Sequence, residues 1–257
     1  MNGTHPPLIS FLIPVKKVET RPPMLLDCVS SIFENAYSRD NVELLIGIDV
    51  DDEVTTEYVK ECISDYQDCN ITLYFRPPAL NFIQNFYEVG YGKSKGDLIW
   101  CIGEDVEILT KHYDKKIKSR LEIEKGKECP YIVVGGEGIN GLPDGRNQYC
   151  NFPLVSKNFV HKGTFFPTKI NSWGVDAYFD LVFKWFEKIN YGQTVDMKGE
   201  IELRHRSHHL GDFEKDELCD KQEERYKAGS PLAIMEEVNT TIEHFYLQSV
   251  VHKNNVV

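Results

Sequence analysis

A chain of 257 residues can bury a substantial core, either as one large α/β domain or as a domain with an appendage. Its formal charge of -11, with no basic run to offset it, argues against nucleic acid or an anionic membrane as the main partner. The seven cysteines form no C-x-x-C pair, and Cys28, Cys62 and Cys101 sit inside apolar segments, so reduced thiols and a cytoplasmic location are expected.

No apolar run reaches membrane-spanning length, and no charged N-terminal region precedes a long apolar stretch, so no transmembrane segment is expected. Strand and helix alternate from the start. Leu8 to Ile13 is a compact apolar strand closed by Pro14, and Met24 to Ala36 places Leu25, Val29, Ile32, Phe33 and Ala36 on one helical face. Val42 to Ile48 is a second buried strand, ending in Asp49-Val50-Asp51-Asp52. The spacing of Tyr58, Val59, Cys62, Ile63 and Tyr66 predicts a helix from about Thr55 to Tyr66. A third strand, Ile71 to Phe75, stops at Arg76-Pro77-Pro78, and a helix from Asn81 to Tyr91 leads to a fourth strand, Leu98 to Ile102. Strands joined by helical crossovers predict a mainly parallel central sheet with helices on both faces.

The second half is less regular. Tyr113 to Lys125 reads as an amphipathic helix and Tyr131 to Val134 as a strand. The segment Gly135 to Gly141 lacks the G-x-G-x-x-G spacing and reads as a loop rather than a dinucleotide site. Asn151 to Phe166 is mixed and aromatic. Asp176 to Ile189 is a strongly apolar helix, with Asp176 at its N-terminus, where simple capping accounts for an acid equally well. A strand near Thr194 to Leu203 runs into Arg204-His205-Arg206-Ser207-His208-His209, then a charged helix, Asp212 to Lys227, and a helix-like segment, Leu232 to Val251.

Two features carry chemistry. The fourth strand stops at Gly103, and Glu104, Asp105 and Glu107 follow within four positions. In an open α/β sheet ligands sit outside the carboxyl ends of the strands, and grouped carboxylates repel unless a cation lies among them; a divalent ion bridging phosphate oxygens is the usual answer. A solvated acidic turn is the plain alternative. Second, His205, His208 and His209 lie just after a strand, flanked by Arg204 and Arg206, a local positive site suited to a phosphate-bearing ligand or, equally, a solvated basic turn.

The order of Ile9-Ser10-Phe11-Leu12-Ile13-Pro14, then Val42 to Asp49, then Gly96-Asp97-Leu98-Ile99-Trp100 ending in Glu104-Asp105, resembles the nucleotide-sugar half of GT-A glycosyltransferases of the family 2 type. The likeness extends through Asn151 to Ser156, Trp173-Gly174-Val175-Asp176 and the His205 turn with Lys215-Asp216-Glu217, covering roughly residues 8 to 220.

That resemblance implies a GT-A domain over 1–220, with a nucleotide-sugar half at about 8–110 and an acceptor half at about 111–220, followed by a helical extension over 221–257. Its implied activity is metal-dependent, inverting transfer from a nucleoside-diphosphate sugar, UDP-sugar favoured, to a hydroxyl of a carbohydrate or other acceptor. Pro14 and Val15 would line the nucleoside, Asp49 or nearby Asp51 would read the base or ribose, and Arg76 and Asn85 would hold the base. Asp105 matches the last carboxylate of the D-x-D signature that holds manganese or magnesium against the diphosphate. Gly103 stands where the family usually has the first Asp and Glu104 fills the middle, so Glu104 or Glu107 would have to compensate. His205 would complete the metal site, and His208 or Lys215 would contact the diphosphate. Asp176 aligns with the general base of inverting members, although Val175 replaces the usual preceding Glu. Two other readings stay open: a sugar nucleotidyltransferase, which would need a Gly-rich loop where Pro14 to Glu19 stands, and a catalytically silent carbohydrate- or nucleotide-binding module.

Overall fold

A computed structural model describes residues 8–17, 19, 21–77, 89–123, 131–137, 152, 154–157, 175–188, 193–206, 234–236, 238–240 and 242–243. Its first half follows the strand and helix alternation of the sequence: β1 (Ile9–Pro14), α1 (Leu25–Asn35), β2 (Val42–Asp49), α2 (Glu53–Cys62), β3 (Ile71–Arg76) and β4 (Leu98–Cys101). The second half contributes β5 (Val106–Ile108), α3 (Tyr113–Ile123), β6 (Tyr131–Glu137), β7 (Leu154–Ser156), α4 (Val175–Lys188) and β8 (Gln193–His205).

Among the described residues the strands form one eight-stranded sheet in the order β3-β2-β1-β4-β7-β6-β8-β5. β1 to β4 are parallel neighbours, with Pro14 opposite Gly47 and Asp49 opposite Arg76. Every residue of β2 is buried and every residue of β1 except Pro14, as expected for strands covered on both faces. β3, at the sheet edge, shows the broken pattern of a strand with one open side. The core centres on Phe11, which stacks on Trp100 (centroids 5.2 Å apart), while Tyr113 meets both rings edge-on. α1 buries Leu25, Cys28, Val29, Ile32 and Phe33 against this sheet, each large apolar side chain contributing about 1.5–3 kcal/mol.

Helix ends are held by neighbours as well as by their own caps. Asp52 caps α2 by accepting from Thr55 N (2.9 Å) and Thr55 Oγ1 (2.8 Å), and Thr55 Oγ1 accepts the Lys17 N–H (2.9 Å). Thr55, held by Asp52, therefore stitches the loop after β1 to α2. The first N–H of α1, from Leu25, donates to the Tyr58 hydroxyl (3.2 Å). A second internal tie fixes the entry to β4: the buried Glu43 carboxylate accepts from Ser10 Oγ (2.5 Å), Lys95 N (2.5 Å) and Gly96 N (3.1 Å).

Some expectations are corrected. The strand expected to end at Val134 continues through Gly135 and Gly136 to Glu137, with a register shift between the two glycines where β6 runs along β8. β5 and β7, three residues each, carried no strand pattern of their own. The helix expected to Tyr66 ends at Cys62 and is followed by a single 3-10 turn, Ser64–Tyr66. Of the helix expected from Asn81 to Tyr91, residues 89–91 are described and helical; the helix expected over 212–227 lies outside the described residues. Among the described residues no helix is long and apolar enough to cross a membrane.

Candidate active site

The parallel strands deliver their carboxyl ends to one edge of the sheet. Pro14 closes β1, and the buried Val15 continues it by donating its N–H to Gly47 O (3.0 Å). Asp49 closes β2 beside Arg76, which closes β3; Arg76 Nε and Nη2 each lie 3.4 Å from Asp49 Oδ1. Both side chains are buried, and burial holds the guanidinium below its usual pKa while Asp49 acts against that shift. Lys16 Nζ approaches the other Asp49 oxygen at 3.9 Å. Asp51 is exposed in the turn that follows.

The acidic turn is built by two ladders. Ile102 N–H extends β4 along β1 by donating to Leu12 O (3.2 Å), and Val106 N–H turns back to Gly103 O (3.3 Å). β5 then pairs antiparallel with the end of β8, with Val106 opposite His205, and Arg206 N–H donates to Asp105 O (2.9 Å). That ladder brings Asp105 Oδ2 to 3.3 Å from His205 Nε2, with both side chains partly exposed. The Phe152 ring stands edge-on to the imidazole at 5.0 Å, and Trp100 Nε1–H holds Phe152 in place through its carbonyl (3.0 Å).

The other carboxylates of the turn are placed differently. Burial first, and the Asp105 charge second, push the Glu104 carboxyl up to about 8, against the opposing pull of Arg21 and the Lys16 N–H. The neutral form of Glu104 is thus favoured relative to an ordinary carboxylate. Glu107, one of the two acids (with Glu104) expected to compensate for the missing first carboxylate, has its Oε1 2.7 Å from Arg206 Nη2 and 3.9 Å from Arg204 Nη1. Arg206 also reaches Asp27 Oδ2 (2.6 Å), so Glu107 belongs to an ion-pair cluster that ties β5 and β8 to α1.

Asp176 stands in the first turn of α4, as expected, and the surroundings of its carboxylate lie outside the described residues. Asn85, His208 and Lys215 also lie outside them. Sequence reasoning missed Lys16 and Arg21, the cations facing Asp49 and Glu104; a basic loop directly after the first strand was the available signal. An open groove of about 670 Å³ runs along α2 between Lys17, Val54, Glu57 and Tyr58, and none of the expected site residues lines it. Among the described residues, the candidate site is marked by converging charge.

No family model matches the chain, and no curated protein does. Solved structures do. The mannosyltransferase PcManGT from Pyrobaculum calidifontis, in complex with GDP-Man and Mn2+, superposes with a TM-score of 0.59 at 12% identity, over 96% of this chain and 76% of that one. This chain has the GT-A fold. S. aureus TarS matches with a TM-score of 0.56 at 10% identity, over 87% of this chain and 44% of its own. TarS 1–349 in complex with UDP-GlcNAc gives a TM-score of 0.43 at 13% identity, over 52% of this chain and 36% of that one. The GT-A chain described here thus spans well under two thirds of either TarS structure.

Asp105 Oδ2 and His205 Nε2, 3.3 Å apart, are an oxygen and a nitrogen of the kinds that would hold a divalent ion. Among the described residues no group of three His, Cys, Asp or Glu side chains could hold a metal ion, so other coordination positions would fall to diphosphate oxygens, water or residues outside the described ones.

Proposed function

We propose that this chain is a metal-dependent, inverting glycosyltransferase of the family 2 type. It moves a hexosyl or deoxyhexosyl group from a nucleoside-diphosphate sugar, UDP-sugar favoured, to a hydroxyl of a carbohydrate or other acceptor. The observation that carries this reading is the meeting of Asp105 and His205 at the carboxyl ends of the sheet, joined by the β5 and β8 ladder. The GT-A fold supports it.

In this reading Pro14 and Val15 line the nucleoside, while Asp49, Asp51, Arg76 and Asn85 form the base and ribose end, with Asp49 and Arg76 acting as one ion-paired unit. Asp105 and His205 hold Mn2+ or Mg2+, and Glu104, His208 and Lys215 face the diphosphate. When bound, the ion offsets charge developing on the leaving diphosphate. Asp176 accepts the acceptor hydroxyl proton, and the hydroxyl oxygen attacks the anomeric carbon from the face opposite the leaving group, so the configuration inverts. The transferase domain extends over 1–220, with 221–257 as a helical extension.

A thermal-shift panel of nucleotide sugars, run with and without Mn2+, tests this directly, because a ligand selective for the native state raises the melting temperature. A metal-dependent rise, together with slow release of free sugar when no acceptor is present, is the expected result. No rise with any nucleotide sugar would reject the donor site, and a rise without sugar release or transfer would leave a silent binding module.

A further inference from the structure

We infer that Gly103 is a positioning residue: its missing Cβ leaves the space in which the Asp105 carboxylate turns back to meet His205. The inference deepens the proposed metal site and rests on Asp105 and His205 as its ligands.

A Cβ built on Gly103 would overlap Asp105 Oδ1 and stand 3.3 Å from Asp105 Cγ. The backbone at Gly103 is not in the left-handed region, so space rather than conformational freedom calls for glycine. The surrounding main chain is held on both sides of the overlap. Ile102 N–H is bonded to Leu12 O (3.2 Å), Gly103 O accepts from Val106 N (3.3 Å), and Asp105 O accepts from Arg206 N (2.9 Å). Ile102 and Val106 are fully buried. With the turn pinned in this way, an added Cβ is relieved by rotating the Asp105 side chain. Its two oxygens belong to one rigid carboxylate, so moving Oδ1 off residue 103 also carries Oδ2 away from its 3.3 Å contact with His205 Nε2.

Any side chain at 103 therefore competes with the Asp105 and His205 contact. Restoring the first acid of the D-x-D pattern in this chain should weaken cation binding, although it adds a carboxylate.

The test measures Mn2+ binding by electron paramagnetic resonance titration in the presence of UDP, for the full chain and for Gly103→Ala, Gly103→Ser and Gly103→Asp, with Asp105→Asn as reference. The 15N resonances of the His205 ring are followed without metal, and melting temperature reports folding. We expect ~10–100-fold weaker Mn2+ binding in the Gly103 variants, the loss typical when a group supporting a metal ligand is altered. The His205 ring resonances should move toward their values in Asp105→Asn. A folded Gly103→Ala protein with unchanged His205 resonances and unchanged Mn2+ affinity would overturn the inference, and tighter binding by Gly103→Asp would do so as well. Failure of the unsubstituted chain to bind Mn2+ sinks the metal site itself, and the metal-free His205 resonances still decide whether Gly103 sets the contact.

Discussion

Arg76 directs both Nε and Nη2 at one oxygen of Asp49, 3.4 Å away, where β2 and β3 end side by side. The pair is buried, so removing Arg76 leaves the Asp49 charge to the more distant, partly exposed Lys16. Arg76→Met should cost about 3 kcal/mol, read as a lower urea midpoint with an unchanged slope. Arg76→Met with Asp49→Leu in the same chain should recover much of that loss, because the buried charge has gone with its partner.

Asp105 makes its side-chain contact with a partly exposed histidine, so its loss should spare the fold and remove ligand binding. Asp105→Ala is expected to melt within a few degrees of the unsubstituted protein while losing the Mn2+-dependent part of UDP affinity. Calorimetric titration of UDP with and without Mn2+ measures both terms, and an unchanged metal dependence would remove Asp105 from the site.

Asp176→Asn keeps the shape of the side chain in the first turn of α4 and removes the carboxylate proposed as the base. Donor binding should stay nearly intact, with transfer reduced ~100-fold or more, the scale of general-base assistance. Near-normal turnover would reject the role.

Glu104 makes stability depend on pH in a definite direction. Its carboxyl is raised from 4.5 to about 8, so between those values the folded chain holds a proton that the unfolded chain has released. Its contribution is complete below pH 4.5 and is lost as pH rises through about 8. Glu104→Gln, which stays neutral, should melt higher than the unsubstituted chain at pH 8.5 and show little difference at pH 5. Equal melting temperatures at both pH values would contradict the assignment.

Gly96 lets the turn before β4 lie against β1. A Cβ there would stand 2.7 Å from the backbone nitrogen of Ser10, and the Gly96 N–H donates to both Ser10 Oγ (2.8 Å) and Glu43 Oε1 (3.1 Å). Backbone cannot step aside as a side-chain tip can. Gly96→Ala should cost about 1–3 kcal/mol in chemical unfolding, the range for overpacking a closed core.

Much of the first half was legible in local pattern. Continuous apolar runs marked β1, β2 and β4, a helical stripe marked α1, and their alternation implied parallel pairing, because burial of a strand or a helix face is written into nearby residues. Acids and an arginine at the strand ends were visible for the same reason. What lay beyond local pattern depended on distant partners. β5 and β7 are too short to announce themselves and exist through pairing with β8, β4 and β6, while Gly135 and Gly136 extend β6 because β8 lies alongside. The ladder between β5 and β8 decided that Asp105 faces His205 and that Glu107 is spent on Arg206. A side chain's neighbour across a sheet is set by register, and register is a property of the assembled strands and not of either one alone.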